Sequence, residues 1–256
     1  MGIMTIKSAA EIERMKAAGR LTAQTLDMLA RLIREGITTQ ALNDAADAFI
    51  RSHGATPSFL GYDSYPKSIC VSVNSEVVHG IPGKRRIKDG DIVSVDVGAY
   101  LGGCHGDAAR TFLVGNVTDE VKRLVEVTRE CFYKGIAFAK KGYRVSDISL
   151  SIQRHAEANG YGVVRELTGH GIGKNMHELP NVPNFHVPSA GKGVRLAPGM
   201  TLAIEPMINL GGKEVFVRDD KWTVETRDFK PSAHYENTVL ITEGEPLILT
   251  VTTEVS

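Results

Sequence analysis

Apolar positions recur first at helical spacing. Ser8-Ala9-Ala10-Glu11 has the pattern of a capping box, and Ile12, Met15, Leu21, Leu29 and Leu32 follow near one helical stripe that stops at Gly36. A second helix is predicted from about 39 to 54, with Leu42, Ala46, Phe49 and Ile50 inward. The pattern then turns to Val-rich strands at 69–73, 91–100 and 107–114, separated by Gly and Asp. A third helix is expected from about 119 to 140, carrying Val121, Leu124, Val125, Thr128 and Phe132 on one side. Ser146 is the expected cap of a fourth, which ends at Asn159-Gly160. Short strands are expected near 163–168, 200–207, 213–218, 236–242 and 246–252.

The order is helix, helix, strands, twice over. Residues 86–96, Arg-Ile-Lys-Asp-Gly-Asp-Ile-Val-Ser-Val-Asp, lie on residues 195–205, Arg-Leu-Ala-Pro-Gly-Met-Thr-Leu-Ala-Ile-Glu, at a constant offset of 109. The Arg, the aliphatic after it, the Gly, the strand apolars and the closing acid all match. Gly36, Leu42 and Gly54 recur as Gly142, Ile148 and Gly160 at an offset of 106, which weighs against chance. An α+β chain of two halves, about 8–115 and 118–250, is therefore expected to pack as a single domain over 1–256 about a pseudo-two-fold. Such symmetry would bring Asp96 and Glu205 into one central site.

Composition narrows the function. Lys+Arg and Asp+Glu are both 30, so the chain lacks the excess of base that gripping a polyanion requires, and sequence-specific nucleic-acid binding is not expected. Cys70, Cys104 and Cys131 form no C-x-x-C pattern and no disulfide framework, which suits a reducing cytoplasm. No apolar run is long enough for a membrane span. Charge arrives before any apolar stretch at the N-terminus, so no signal peptide is expected, and Ile6 rules out a myristoylation pattern.

Candidate chemistry lies in acids and histidines. Asp96 and Asp107 flank a hairpin turn at Leu101-Gly102-Gly103, which would bring 96 within a residue or two of opposite 107. Taken singly, each is more simply an exposed acid; the glycine around both favours a cation between them. His170 sits in Thr168-Gly-His-Gly-Ile-Gly173, which is neither a dinucleotide fingerprint nor a phosphate loop. His177-Glu178 opens like a zinc-protease helix, but Asn181 stands where the second His is needed and Pro180 breaks the helix. Glu205 and Glu236 each lie at the end of an apolar strand. Two Asp, two Glu and one His are more than one divalent ion needs, so two ions of Mn, Fe(II), Co or Zn are expected, with bridging carboxylates.

Those five residues in that order, with Glu205 in Ala-Ile-Glu-Pro and Glu236 in Ala-His-Tyr-Glu-Asn-Thr, resemble the signature of the pita-bread metallopeptidases. The segments Gly61-Tyr62-Asp-Ser-Tyr65-Pro-Lys-Ser-Ile-Cys70, Asn74, Val78-His79-Gly-Ile-Pro82 and Met176-His177-Glu178 resemble the methionine aminopeptidases in particular, essentially end to end. Only 35 residues separate His170 from Glu205, leaving no room for the helical insertion of type II members, so the resemblance is to type I.

The resemblance implies a fold with antiparallel sheet inside and helices outside. It implies that Asp107 and Glu236 bridge two metals, that Asp96 completes one shell, and that His170 with Glu205 completes the other. A metal-bridging hydroxide would then attack the scissile carbonyl, with Glu205 as general base. His177 and His79 become substrate-side groups, on the scissile carbonyl and beyond the scissile bond. Tyr62, Tyr65, Cys70 and Trp222 become the lining of a methionine pocket, whose shape depends on Met176 and Phe59. Asn74 and Ser232 correspond to a monovalent-cation site held by backbone carbonyls. His105, His155, His186 and His234 receive no role and are expected at the surface or behind the site.

The implied activity is removal of the initiator methionine from nascent chains when the second residue is small. The implied molecule is a cytoplasmic monomer in transient contact with ribosomes. Two rivals stand beside this reading. An X-Pro-type aminopeptidase of the same fold would need an additional N-terminal domain, for which this chain has no room. A non-catalytic peptide-binding relative would have lost ligands, and all five are present.

Overall fold

The structure is a computed structural model that describes residues 4–186, 189 and 191–252. Helix α1 (Ala9–Leu32) opens at Ser8. Its hydroxyl accepts from the Glu11 N–H, while the Glu11 carboxylate accepts from the Ser8 N–H, a reciprocal cap. The helix stops short of Gly36, because the Gly36 N–H is drawn to the Ile87 carbonyl. Helix α2 (Thr39–Ser52) begins where the Thr38 hydroxyl accepts from the Ala41 N–H, a side-chain cap of the ordinary kind.

The first sheet follows. Strands β1 (Thr56–Pro57), β2 (Ile69–Val73) and β3 (Glu76–Val78) precede the long hairpin β4 (Ile92–Leu101) and β5 (Cys104–Leu113). Its two-residue turn holds Gly102 at φ 60° and Gly103 at φ 85°, the left-handed pair that a tight hairpin demands. Strand β4 pairs with β5 along one edge and with β2 and β1 along the other.

Helices α3 (Asp119–Ile136) and α4 (Val145–Ala158) open the second half. Arg144, not Ser146, is the cap of α4. The Asp147 carboxylate takes the Arg144 N–H at 2.8 Å and the Val194 carbonyl takes the Val145 N–H at 3.0 Å, which starts the helix earlier. After β6 (Gly162–Val163) come β7 (Thr168–Gly171), β8 (Glu178–Pro183), β9 (Thr201–Ile204), β10 (Met207–Asn209), β11 (Val215–Val217), β12 (Val224–Thr226), β13 (Ser232–His234), β14 (Asn237–Leu240) and β15 (Leu247–Ile248). Five of these form one sheet in the order β15-β14-β9-β7-β8.

The repeated sequence makes repeated bonds. Thr39 N–H donates to the Arg85 carbonyl and Ile87 N–H to Ile37, while Val145 N–H donates to Val194 and Leu196 N–H to Tyr143. Each bond in one half maps on its counterpart by the offsets of 106 and 109. One core packs Leu29, Leu42 and Ile50 on Val93 and Val95; another packs Leu124, Phe132 and Ile148 on Leu202 and Ile204.

A seam joins β5 to residues 234–238. Ala109 and Glu236 exchange backbone hydrogen bonds of 3.3 and 3.0 Å. The Thr238 hydroxyl accepts from the Asp107 N–H and donates to the Asp107 carbonyl, both at 3.0 Å. Thr111 spans the same seam to His234. Beside it α1 lies so close to β5 that a Cβ at Gly106 would stand 2.6 Å from the Gly19 nitrogen. Backbone cannot yield as a side chain tip does. Gly106→Ala is therefore expected to destabilise the fold by at least about 1–3 kcal/mol, read as a lower urea midpoint with an unchanged slope.

Candidate metal centre and peptide pocket

Asp96 and Asp107 face the same side of the β4–β5 hairpin. Asp107 lies opposite Gly98 and Asp96 opposite Ala109, so the two acids are diagonal neighbours, as the turn predicts. The second sheet supplies three more groups from adjacent strands: His170 in β7, Glu205 just after β9, and Glu236 just before β14. Gly169 and Gly171 flank His170 for a steric reason. A Cβ at either would stand within 2.4 Å of a carbonyl oxygen on a neighbouring strand, Ala203 or Leu179. All five predicted residues line one cavity of about 220 Å³.

The distances suit a cation better than direct pairing. His170 Nε2 is 3.7 Å from both Asp107 Oδ2 and Glu205 Oε1, beyond hydrogen-bond length. Asp107, His170 and Glu236 each offer a donor atom within 4.8 Å of the others, and so do Asp96, His234 and Glu236. Asp96 Oδ1, Asp107 Oδ1 and Glu236 Oε1 are buried without a hydrogen-bond partner. Buried acids with orphaned oxygens beside an imidazole are what a divalent cation requires.

Burial among like charges raises these carboxyls. Glu205 is pushed up to about 8 by burial, and Asp96 to about 7 by burial and by the charge of Glu205, against a countering pull from His234. Asp107 and Glu236 rise well above the usual range through burial, with added repulsion from their fellow acids. Burial keeps His170 and His234 neutral, with values lowered to about 3 and about 4.

His79 and His177 stand on the same cavity. His79 follows β3 at φ 60°, and its ring meets Trp222 edge-on at 6.2 Å; burial lowers its pKa to about 4. His177 packs edge-on against His170 at 4.1 Å and hydrogen-bonds the Tyr62 hydroxyl through Nδ1 at 2.6 Å. Burial lowers the His177 pKa and raises that of Tyr62, which favours the neutral form of both partners. Both side chains are exposed at the rim of the cavity.

A small apolar cluster of its own completes the cavity. Phe59, Tyr65, Cys70 and Met176 are buried together, with Ile81 and Trp222 against them. Tyr65 donates to the Gly80 carbonyl at 3.0 Å and meets Trp222 edge-on at 5.1 Å. Asn74 and Ser232 also meet, since the Asn74 carbonyl accepts from the Ser232 N–H at 2.9 Å.

The model of metallopeptidase family M24 matches residues 13–243. The chain is 51% identical over 249 residues to a methionine aminopeptidase of Clostridium perfringens, covering 97% of this chain and 99% of that one. It is 51% identical to methionine aminopeptidase 1 of Bacillus subtilis, with 95% and 98% covered. The chain belongs to the methionine aminopeptidases of family M24. The crystal structure of a family member from Thermotoga maritima superposes with a TM-score of 0.94 at 45% identity, covering 97% of this chain and all of that one. A prolidase from Pyrococcus furiosus shares only the pita-bread fold: its TM-score is 0.80 at 24% identity, with 97% of this chain and 66% of that chain covered.

The family's metal dependence gives the orphaned acids their partner, a divalent ion. Two supports of the pocket escaped sequence reasoning. Arg218 binds the buried Glu76 at 2.6 Å and Glu225 at 2.7 Å, tying the β11–β12 hairpin that carries Trp222 to β3, which leads into His79. Lys7 pairs with Glu178 at 2.6 Å, both buried, which anchors the loop bearing His177. The Glu76–Arg218 and Lys7–Glu178 pairs lie 142 and 171 residues apart in sequence, too far for a spacing rule to find. Of the two places expected for His234, the surface or behind the site, the structure has the second: it is buried with its Nε2 3.6 Å from Glu205. His105 is half-buried against Ser58, and His155 pairs with Glu130, both away from the cavity lining.

Two outcomes follow from this geometry. In the metal-free protein the folded-state pKa of Glu205 and Asp96 lies above the unfolded value, so the folded state holds the extra protons. Stability then falls as pH rises through about 7 and 8. Chemical denaturation of the chelated protein between pH 7 and 8.5 reads this, in a window where unfolded histidines are already neutral. Added divalent metal should flatten the profile. Arg218→Ala should loosen the hairpin under the chain's single tryptophan. Its emission is expected to move to longer wavelength, with KM for methionyl peptides raised several-fold and kcat changed less.

Proposed function

We propose that this chain removes the N-terminal methionine from nascent proteins when the second residue is small, as a type I enzyme with a two-metal centre. Asp96, Asp107, His170, Glu205 and Glu236 are the proposed ligands, with Asp107 and Glu236 bridging. The observation that carries this reading is the convergence of these buried, unpartnered acids on one cavity that is also walled by Tyr65, Cys70, Met176 and Trp222. Aromatic and sulfur-bearing walls suit an unbranched thioether. Bound ions of Co, Mn, Fe(II) or Zn supply Lewis acidity, which acidifies water and polarises the scissile carbonyl.

The protein's own groups do the rest. Glu205 takes a proton from the attacking water. Its burial gives it high proton affinity, and neighbouring cations bring its pKa down so that it is ionised at neutral pH. His177 engages the Tyr62 hydroxyl through Nδ1, and in the tautomer where that hydroxyl donates, its other nitrogen carries the proton and donates to the developing oxyanion. His79, in its left-handed backbone position against Trp222, holds the peptide beyond the scissile bond.

The two halves, about 8–115 and 118–250, act as one catalytic unit over 1–256, since the ligands come from both sides of the seam. A monovalent cation held by backbone carbonyls around Asn74 and Ser232 is part of the same proposal, and the two residues are neighbours through the Ser232 N–H, which donates to the Asn74 carbonyl. No described helix is long and apolar enough to cross a membrane. The proposed molecule is a cytoplasmic monomer that meets chains at the ribosome, and its three free cysteines suit a reducing compartment.

Glu205→Gln keeps the shape and an oxygen ligand but accepts a proton poorly. Steady-state kinetics should show kcat down about 100-fold or more with KM little changed; a fall in metal affinity alone would make Glu205 only a ligand. The Tyr62–His177 rim also reads the second residue sterically, since holding the carbonyl about 1 Å back costs on the order of 100-fold in rate. Met-Gly, Met-Ala and Met-Ser peptides should be cut at least about tenfold better in kcat/KM than Met-Leu and Met-Lys, a difference of ~1.4 kcal/mol. Equal values would remove the initiator-methionine specificity, and preferential cleavage of Ala-Pro peptides would favour the X-Pro rival.

A further inference from the structure

We propose that His234 is a sixth protein ligand of the metal centre, giving the ion on the Asp96 side an imidazole of its own. The inference rests on the two-metal reading above. His234 ends β13, is 1% exposed, and its Nε2 has no hydrogen-bond partner. That atom stands 3.6 Å from Glu205 Oε2 and 3.8 Å from Glu236 Oε2. Hydrogen bonds of this kind run about 2.7–3.2 Å, so neither contact is one. Two donors that share an ion, each roughly 2.0–2.2 Å from it, lie roughly 3–3.8 Å apart, and both contacts fall in that range, so Glu205 would reach the Asp96-side ion through Oε2 besides the His170-side ion through Oε1.

His170 provides the internal standard. Its Nε2 is 3.7 Å from Asp107 Oδ2 and 3.7 Å from Glu205 Oε1. Glu205 thus turns one oxygen to each imidazole, Oε1 to His170 and Oε2 to His234. Glu236 belongs to both donor triads, Asp107–His170–Glu236 and Asp96–His234–Glu236. The donor distances that mark His170 as a ligand are matched at His234, which approaches the acids from behind the cavity rather than lining it.

The backbone under His234 is fixed from two sides. Its residue pairs with Met207 across β10 and β13, and Thr111 of β5 accepts from its N–H and donates to its carbonyl, both at 2.9 Å. The ring is therefore held at the seam where the two triads meet. A second imidazole makes the donor set four carboxylates and two nitrogens, which shifts preference further toward Zn, Fe(II) or Co and away from Mg. It also makes the two ion positions more alike than a single histidine would.

Extended X-ray absorption on the full chain loaded with two equivalents of Co(II) counts imidazoles without any substitution. Two imidazoles per pair of ions are expected; one per pair overturns the proposal. Calorimetric titration of His234→Gln with CoCl2 should show one of two binding steps weakened at least tenfold and the other unchanged, with altered Co(II) d–d absorption. Unchanged affinity at both steps together with an unchanged spectrum overturns it. A wild-type chain that takes up only one Co(II) ion brings down the two-metal reading, and the proposal with it. Two bound ions with a single imidazole bring down His234 alone.

Discussion

Asp96, Asp107, Glu205 and Glu236 put four carboxylates around one cavity, and water is largely kept from them. Two unit charges 4 Å apart repel by about 4 kcal/mol at an effective dielectric of 20, and this cluster contains several such pairs. A fold with that cluster has two routes: to hold protons, which the raised carboxyls do in the absence of ions, or to hold cations. The second route turns a liability into chemistry, since the field that disfavours ionised acids is the field that binds a divalent ion. The hairpin turn at Gly102-Gly103, the flanking glycines of His170 and the Thr238–Asp107 bonds all serve to hold those acids against their repulsion.

The apolar pocket shares the cavity but is built on different parts. Phe59, Tyr65, Cys70 and Met176 form a cluster separate from the two large cores, so its packing can change without disturbing either. Charged clamps set its walls: Arg218 with Glu76 and Glu225 on the Trp222 side, Lys7 with Glu178 on the His177 side. The Lys7–Glu178 pair and the two acids under Arg218 are buried, so these clamps add little net stability but fix geometry, because breaking one strands a buried charge. The apolar walls and the acid cluster thus rest largely on separate supports, with the Lys7–Glu178 clamp under His177 serving both.

Much of the architecture was legible in the sequence because its signals are periodic. Four helices announced themselves through apolar stripes, and the hairpin through two glycines where left-handed backbone is needed. The match of 86–96 with 195–205 also anticipated that Asp96 and Glu205 would converge. Strands β1, β3, β12 and β13 were not legible, since two or three residues carry no period, and the six-residue β8 was hidden by Pro180 and Pro183, which argue against a strand. The α4 start was misread because a backbone bond to Val194, far along the chain, outweighed the local preference of Ser146. His234 was passed over for a related reason. One histidine beside an acid in Ala-His-Tyr-Glu says nothing of which way its ring points, and that direction is set by Thr111 across the seam.

The seam has a consequence for the order of events in the making of this protein. Asp107 is paired on its own hairpin early, but Glu236 and the Thr238 hydroxyl that anchors it follow 129 and 131 residues later. At roughly 5–20 residues per second, the hairpin waits about 6–25 s for the strand that completes its ladder. During that interval β5 is the open edge of its sheet, and the charge of Asp107 on it discourages pairing with other chains. An acid that later organises the reaction first acts as guard of a half-built sheet.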